Sequence, residues 1–378
     1  RIASNIFCTY SMLKILNIVG ARPNFMKVAP LHRAFENHPA IESKIVHTGQ
    51  HFDAKMSDVF FEQLQMPKPH YFLGVGGGSH TEVTARTMLE FEKVILQEKP
   101  DLVLVVGDVN ATLACTLVAI KLHIPVAHVE AGLRSGDRKM PEELNRILTD
   151  SVSDYLFITE QSGIDNLKNE GVPDEKVFFV GNVMIDSLVH YLEKAQQTPV
   201  LDELSLSKDE FVVMTMHRPA NVDTAEGLSS ILTIIENTVP FKKVVFPIHP
   251  RTANNLKNLG LWDRLQSIEG LVLTEPQGYL EFLQLMQNAS LIITDSGGIQ
   301  EETTFLKVPC LTFRDTTERP VTVELGTNQL LADLNPITVH EKFVEILEGK
   351  AKQGTIPPLW DGHTSERIAA ILVEKLGK

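Results

Sequence analysis

The feature that most constrains this chain is an alternation. Short apolar runs, rich in Val and Ile and mostly without polar alternation, take turns with longer amphipathic stretches almost from end to end. Such runs fall at 15–19, 45–48, 102–106, 126–129, 155–158 and 177–180, then in a second series at 211–216, 244–248, 271–274, 291–294 and 310–313. Runs of this length and composition read as strands covered on both faces, the habit of a parallel sheet. The clearest helix between them is 81–97, where Ser79 and Glu82 form a capping-box pattern and Lys99-Pro100 closes the segment. Repeated strand–helix alternation implies an α/β, doubly wound fold.

A polar, proline-containing stretch, 196–209, separates the two series and reads as a linker. Five or six strand candidates on each side make two Rossmann-like domains, 12–195 and 210–363, facing a cleft. A final helix, 364–378, packs back on one of them, with a return to the N-terminal domain one option. Residues 1–11 carry no signal-peptide apolar core and read as an appendage before Met12.

Charge and cysteine content narrow the partners. The chain has 35 Lys and Arg against 48 Asp and Glu, a net charge of −13. That balance argues against nucleic acid or an anionic membrane as the main partner, while leaving room for a local basic pocket. No apolar run approaches the roughly 20 residues of a membrane span. Cys8, Cys115 and Cys310 are too widely spaced for a disulfide framework or a paired-cysteine zinc motif, and suit a reducing cytoplasm. No His, Asp and Glu spacing marks a metal site.

In open parallel sheets, ligands bind beyond the carboxyl ends of the strands. Six strand candidates end in unusual groups: Gly20 to Lys27 with Arg22, Gly107-Asp108, Glu130 to Arg134, His217-Arg218, His249-Pro250, and Asp295-Ser296-Gly297-Gly298. Together they suggest one shared site, with carboxylates from the first domain and anion-binding groups from the second. The turn 295–298 leads into a helix beginning near Gly298, where free backbone N–H groups and a Ser296 hydroxyl suit a phosphate. Glu302, one turn further on, suits ribose hydroxyls. An ordinary capped turn is the bland alternative.

Asp108, Glu130 and Glu142 form a carboxylate set suited to proton removal and delivery. Each has a plainer reading. Asp108 also fits a helix N-cap. Glu130 ends an apolar strand and needs a partner, for which Arg134 is placed. Glu142 follows Pro141 as a first-turn helix residue, with Arg146 one turn on as a ready ion-pair partner. His217, next to Arg218, is better placed for chemistry than His249, and His128 reads as structural. The Gly-rich stretch 74–79 lacks the third glycine of a dinucleotide fingerprint, so a nicotinamide cofactor is not indicated.

The ordered motifs GARPNFMKVAPL (20–31), HTGQHFDAKMSDVFF (47–61), GDVNATLA (107–114), HVEAGLRSGD (128–137), MPEELNRILTD (140–150), MHRPANVD (216–223), PIHP (247–250), TDSGGIQEE (294–302) and RDTTERP (314–320) resemble the non-hydrolysing UDP-N-acetylglucosamine 2-epimerase family. The resemblance runs from about residue 13 to the end. It implies a glycosyltransferase B type architecture and reversible inversion at C2 of a UDP-sugar, by elimination and re-addition of UDP, without a cofactor. By position it implies Asp108, Glu130, Glu142 and His217 as catalytic groups. It implies Arg22, Phe282, Ser296, Gly297, Gly298 and Glu302 at the UDP, with Lys27 near the phosphates. Arg134 and Arg218 join the substrate-binding set from the residue reading. Gln50, Arg86 and His249 match parts of a family allosteric site. A homodimer and a role in supplying envelope polysaccharide follow from the resemblance alone. A UDP-diacetamido-uronic acid epimerase and a glycosyltransferase of the same architecture are the alternatives.

Overall fold

The structure is a computed structural model that describes residues 12–49 and 68–377. The appendage expected at 1–11 and Gln50 lie outside the described residues. The chain divides into two compact units, Arg1–Ser187 with Asp361–Lys378, and Leu188–Trp360.

The first unit is built on seven described strands: β1 (Leu13–Val19), β2 (Ile41–His47), β3 (Tyr71–Phe72), β4 (Leu102–Val106), β5 (Val126–Ala131), β6 (Tyr155–Ile158) and β7 (Val177–Phe179). All neighbours pair in parallel, in the order β3-β2-β1-β4-β5-β6-β7. Every residue of β4 is buried, as its unbroken apolar run requires of a central strand. On one face Leu16, Ile18, Val103 and Val105 pack under Phe91, Val94 and Ile95 of the helix His80–Glu98 and under Cys115 and Val118 of the helix Asn110–Lys121. The capping box is realised: Ser79 Oγ accepts from Glu82 N at 3.2 Å, and Ser79 N donates to Glu82 Oε2 at 2.7 Å. The C-terminal helix Thr364–Leu376 packs against the helix Arg22–Glu36 of this unit. The Asp186 carboxylate caps it, accepting from Thr364 N at 3.1 Å and Ser365 N at 2.6 Å.

The second unit repeats the plan with β8 (Phe211–Thr215), β9 (Lys243–Pro247), β10 (Leu271–Thr274), β11 (Leu291–Thr294), β12 (Cys310–Phe313) and β13 (Asn328–Leu331). Their order is β10-β9-β8-β11-β12-β13, again parallel throughout. Its core joins Val212, Met214, Leu291 and Ile293 to Ile231 and Ile235 of the helix Ala225–Thr238. In each sheet the order reverses once, between β1 and β4 and between β8 and β11. These are the switch points where ligands bind in such folds.

Two expectations are corrected. The boundary falls between Ser187 and Leu188, inside the continuous helix Val183–Gln196, and not in the polar stretch 196–209. That stretch packs on the second unit: it contains the helix Val200–Glu203, Val200 is buried, and Asp209 N donates to Asn288 O at 2.8 Å. Strands β3 and β13 were not read from the sequence. One has two residues, and the other opens with a buried asparagine whose amide is bonded inside the core.

Candidate active site

At the first switch point, β1 ends in Gly20-Ala21 and runs directly into the helix Arg22–Glu36. Asn24 clips this turn to the neighbouring strand. Its Oδ1 accepts from Gly20 N at 3.1 Å and Ala21 N at 2.9 Å, and its Nδ2 donates to Val106 O at 3.2 Å. One turn on, buried Lys27 reaches Glu130 Oε2 at 2.5 Å. Glu130 has φ +69°, a left-handed conformation that costs a non-glycine residue energy, and sits where β5 shifts register against β6. A bulge of this kind re-aims a side chain, and the strain is held by the surrounding sheet. Gly107, with φ +66°, lies against the pair: a Cβ there would stand 3.1 Å from Lys27 Nζ. Glycine makes this turn without backbone strain and without crowding the ammonium group.

Asp108 follows, with its side chain 32% exposed and paired with the buried Arg146 guanidinium. Arg146 also donates to Glu143 Oε2 from Nε at 3.1 Å and from Nη2 at 2.7 Å. From the same helix, Pro141–Val152, Asn145 Nδ2 donates to Asp108 O at 2.9 Å. Glu142, Asn145 and Arg146 are spaced to share one helix face, so Glu142 lies on the face that meets the Asp108 turn. It is half-buried and makes no hydrogen bond or ion pair among the described residues.

Three expected local partners are therefore not the observed ones, although Glu142 does sit in the first turn of its helix after Pro141. The N-cap of the helix Asn110–Lys121 is Val109, without a side-chain cap. Glu130 pairs with Lys27 and not with Arg134, which is held by Asp150 at 2.8 Å and by Glu170 at 2.8 Å. Arg146 serves Asp108 and Glu143 and leaves Glu142 alone.

In the second unit, His217 lies two residues beyond the end of β8, and Asp295 directly follows the neighbouring β11. Asp295 is fully buried and accepts from His217 N at 3.0 Å, Arg218 N at 2.8 Å, Asn221 Nδ2 at 3.1 Å and His217 Nδ1 at 2.8 Å. Burial pushes the Asp295 carboxyl upward, but the His217 bond and charge and the Arg218 and Asn221 donors outweigh it and hold it below the usual range. The carboxylate fixes the ring tautomer. The ring is 41% exposed, and Nε2 makes no hydrogen bond among the described residues. Its neighbour His249 lies 5.6 Å away, ring to ring, and accepts from Arg251 N at 3.2 Å; burial, then the His217 charge, lower its pKa.

The helix Gly297–Leu306 starts beside this histidine's strand, with half-buried Ser296 at its N-cap. A Cβ at Gly297 would stand 3.1 Å from Glu318 Oε1, 3.3 Å from Arg319 Nη1 and 3.4 Å from Arg314 Nη1. Burial lowers the Arg314 pKa, and the neighbouring charges of Arg218 and Arg319 lower it further against the pull of Glu318. Arg314 and Arg319 thus stand at a helix N-terminus, each ion-paired, Arg314 with Glu318 at 2.9 Å and Arg319 with Glu301 at 2.8 Å and with Glu318, while the N-terminal amides of the helix suit an anion. One turn inside, Glu302 is buried and accepts from Tyr279 Oη at 3.0 Å. Burial raises its pKa to about 7, with Glu301 adding to the shift against the Tyr279 bond. Phe282 is half-buried on the helix that Tyr279 opens.

Asp295 stood among the strand-end groups read from the sequence but was given no role of its own, and Arg314 and Arg319 entered only within the motif RDTTERP. Arg86 donates to the carbonyl of Gly77 and so holds the Gly-rich loop to its own helix. Among the described residues no group of His, Cys, Asp and Glu is arranged to hold a metal ion.

Two Rossmann-like units, one carrying a carboxylate set and the other a helix N-terminus flanked by two arginines, define a protein of glycosyltransferase B-like fold. The sequence model of the family described as UDP-N-acetylglucosamine 2-epimerase matches residues 33–373. A UDP-N-acetylglucosamine 2-epimerase of Methanocaldococcus jannaschii is 46% identical over 365 residues, covering 95% of this chain and 99% of that protein. A UDP-2,3-diacetamido-2,3-dideoxy-D-glucuronate 2-epimerase of Pseudomonas aeruginosa is 44% identical over 365 residues, covering 96% of this chain and 100% of that protein. The crystal structure of the Methanocaldococcus jannaschii UDP-GlcNAc 2-epimerase in complex with UDP-GlcNAc and UDP superimposes with a TM-score of 0.84 at 45% identity, over 96% of this chain and 99% of that one. The chain belongs to the UDP-N-acetylglucosamine 2-epimerase family, whose members are isomerases acting on UDP-sugars.

Proposed function

We propose that this protein reversibly converts UDP-N-acetylglucosamine to UDP-N-acetylmannosamine without hydrolysis. The observation that carries the reading is the first switch point, where a strained Glu130 is held by Lys27 beside the Asp108 turn. The C2 proton of the sugar leaves to an enzyme base as the C1–O bond to UDP breaks, and the electron pair forms a C1–C2 double bond. A proton then reaches the opposite face of C2 while the UDP oxygen re-adds at C1. Asp108, Glu130 and Glu142 supply the acid–base groups. Arg218, Arg314, Arg319 and the amides at Gly297 and Gly298 stabilise the charge on departing UDP, with His217 oriented by Asp295. Phe282 contacts the uracil and Glu302 the ribose. Arg22 and Lys27 serve the phosphates, although Lys27 is here engaged by Glu130. No cofactor is needed.

A homodimer in the cytoplasm, supplying activated sugar to envelope polysaccharide, accompanies this reading. Among the described residues no helix is long and apolar enough to cross a membrane. The near-equal identity to the Pseudomonas aeruginosa relative favours one second reading, epimerisation of the UDP-diacetamido-uronic acid.

The test is proton NMR of UDP-N-acetylglucosamine with the protein in D₂O. UDP-N-acetylmannosamine labelled at C2, with no free sugar accumulating, is expected. Free N-acetylmannosamine in stoichiometric amount would refute the non-hydrolysing reading. Turnover of the diacetamido-uronic acid alone would select the second one.

A further inference from the structure

His128 lies on β5, two residues before Glu130, and its side chain is fully buried together with that of Asp150. Both ring nitrogens face oxygen. Nε2 is 2.8 Å from the carbonyl oxygen of Gly107, and Nδ1 is 2.6 Å from Asp150 Oδ1. A carbonyl only accepts, so Nε2 carries a hydrogen. The opposite carboxylate oxygen accepts from Gly132 N at 3.0 Å and Arg134 Nη1 at 2.8 Å. Burial alone would push Asp150 upward, but His128, Arg134 and the Gly132 N–H hold its pKa below the usual carboxylate range. Arg134 is anchored in turn by Glu170, with two bonds of 2.8 Å.

This network touches each segment that carries a proposed acid–base group. Gly107 immediately precedes Asp108. Gly132 follows Glu130 on the same strand end, with φ +78° and no room for a Cβ, which would fall 2.4 Å from Gly163 O. Asp150 lies on the helix Pro141–Val152, whose first turn holds Glu142. The three segments come from distant parts of the chain, and the His128 ring is the piece bonded to two of them at once.

We propose that His128 is a positioning residue: through the bond of its Nε2 to the Gly107 carbonyl, with Asp150 behind the ring, it sets the registry of Asp108 against Glu130 for proton transfer at C2. This rests on the epimerase reading above. It goes beyond packing, because the bond to Gly107 fixes the peptide that aims Asp108.

Two conservative variants separate the two bonds. In His128→Gln the amide nitrogen falls near the position of Nε2 and keeps the donor to Gly107. In His128→Asn it falls near Nδ1 and keeps only the bond to Asp150. The expected result is a kcat loss of about 10²-fold for His128→Asn, with His128→Gln at least about tenfold faster than it. KM and UDP affinity stay within about twofold in both, because the groups proposed to hold UDP, apart from Arg22 and Lys27, belong to the other unit. Rates are compared well below the lower melting temperature. A His128→Asn protein that turns over within about threefold of wild type overturns the proposal, as do equal losses in both variants that follow their melting temperatures. Where His128→Asn does not melt cooperatively, Asp150→Asn replaces it. A neutral ring then keeps its Nε2 donor on Gly107, so kcat stays within about tenfold of wild type, and a larger loss with normal melting overturns the proposal. Failure of the epimerase reading is distinct: wild-type protein would then leave both UDP-sugars unchanged.

Discussion

Adjacent glutamates at 142 and 143 should respond to the same substitution in opposite ways. Glu143 is 2% exposed and accepts from Ser135 N at 2.9 Å, Ser135 Oγ at 3.1 Å, Gly136 N at 2.9 Å and Arg146 at 2.7 and 3.1 Å. Glutamine keeps one acceptor oxygen and turns an NH₂ toward donors. The loss of charge-assisted bonds plus a stranded buried donor amounts to about 3 kcal/mol. For a cooperative unit of roughly 200 residues that lowers the melting temperature by about 6–12 °C. Glu142 is half-buried and unpaired among the described residues, so Glu142→Gln should change stability by no more than about 0.5 kcal/mol. It should nevertheless slow C2 exchange by about 10²–10⁴-fold. Melting curves followed by circular dichroism and exchange followed by NMR give both readings on the same samples. The acid limb adds a sign. Burial raises the Glu143 carboxyl, but the Ser135, Arg146 and Gly136 donors outweigh it and hold the folded-state pKa below normal. Its contribution is therefore complete above the unfolded value of about 4.3 and fades as pH falls through the folded one, so the gap between wild type and Glu143→Gln narrows as pH falls below about 4.3. A Glu143→Gln protein that melts like wild type, or a Glu142→Gln protein that melts well below it, would refute this division of labour.

Glu302, raised to about 7 by burial, binds a proton in the folded state that the unfolded chain has already lost. Unit stability should thus fall by about 3–4 kcal/mol as pH rises from about 4.3 to about 7, and Glu302→Gln should flatten that slope in urea titrations at pH 5 and 8. Gly107→Ala puts a Cβ at φ +66° and 3.1 Å from Lys27 Nζ. Beyond about 1–2 kcal/mol of backbone cost it should displace the Lys27–Glu130 pair, so exchange at C2 falls further than melting alone explains. Asp295→Asn removes the carboxylate that orients His217 and should cut turnover by about 10²-fold or more, measured by product formation at a temperature where the variant is folded.

Much of the architecture was legible because a parallel sheet buries its strands on both faces, so β4, β8 and β11 appear as plain apolar runs. The departures from that pattern were legible for the same reason: Asp108, Glu130 and His217 stand where an apolar run stops. What was hidden is who holds them. Lys27 and Glu130 are 103 positions apart, Arg146 and Asp108 are 38 apart, and His128 and Asp150 are 22 apart. No periodicity encodes such a pair. Nor does the bulge at Glu130 leave a mark, since the residues around it continue an ordinary strand sequence. The domain boundary was hidden by the opposite effect. A polar stretch with a proline looks like a linker, yet Val200 and Leu206 are buried.

The misread Glu142–Arg146 pair is the most instructive, because the local rule it followed is sound. Residues four apart on an exposed helix do pair. Arg146, however, is 3% exposed. A buried guanidinium must satisfy its donors with acceptors that remain in place, and Glu143 is buried beside it while Asp108 arrives from the neighbouring strand end. Those two carboxylates take up its donors at Nε, Nη1 and Nη2. The competition leaves Glu142 without a cation, half-exposed, on the helix face directed at the Asp108 turn. An unpaired carboxylate in that place is open to a ligand, whereas Asp108 and Glu130 must exchange protons against the pull of Arg146 and Lys27.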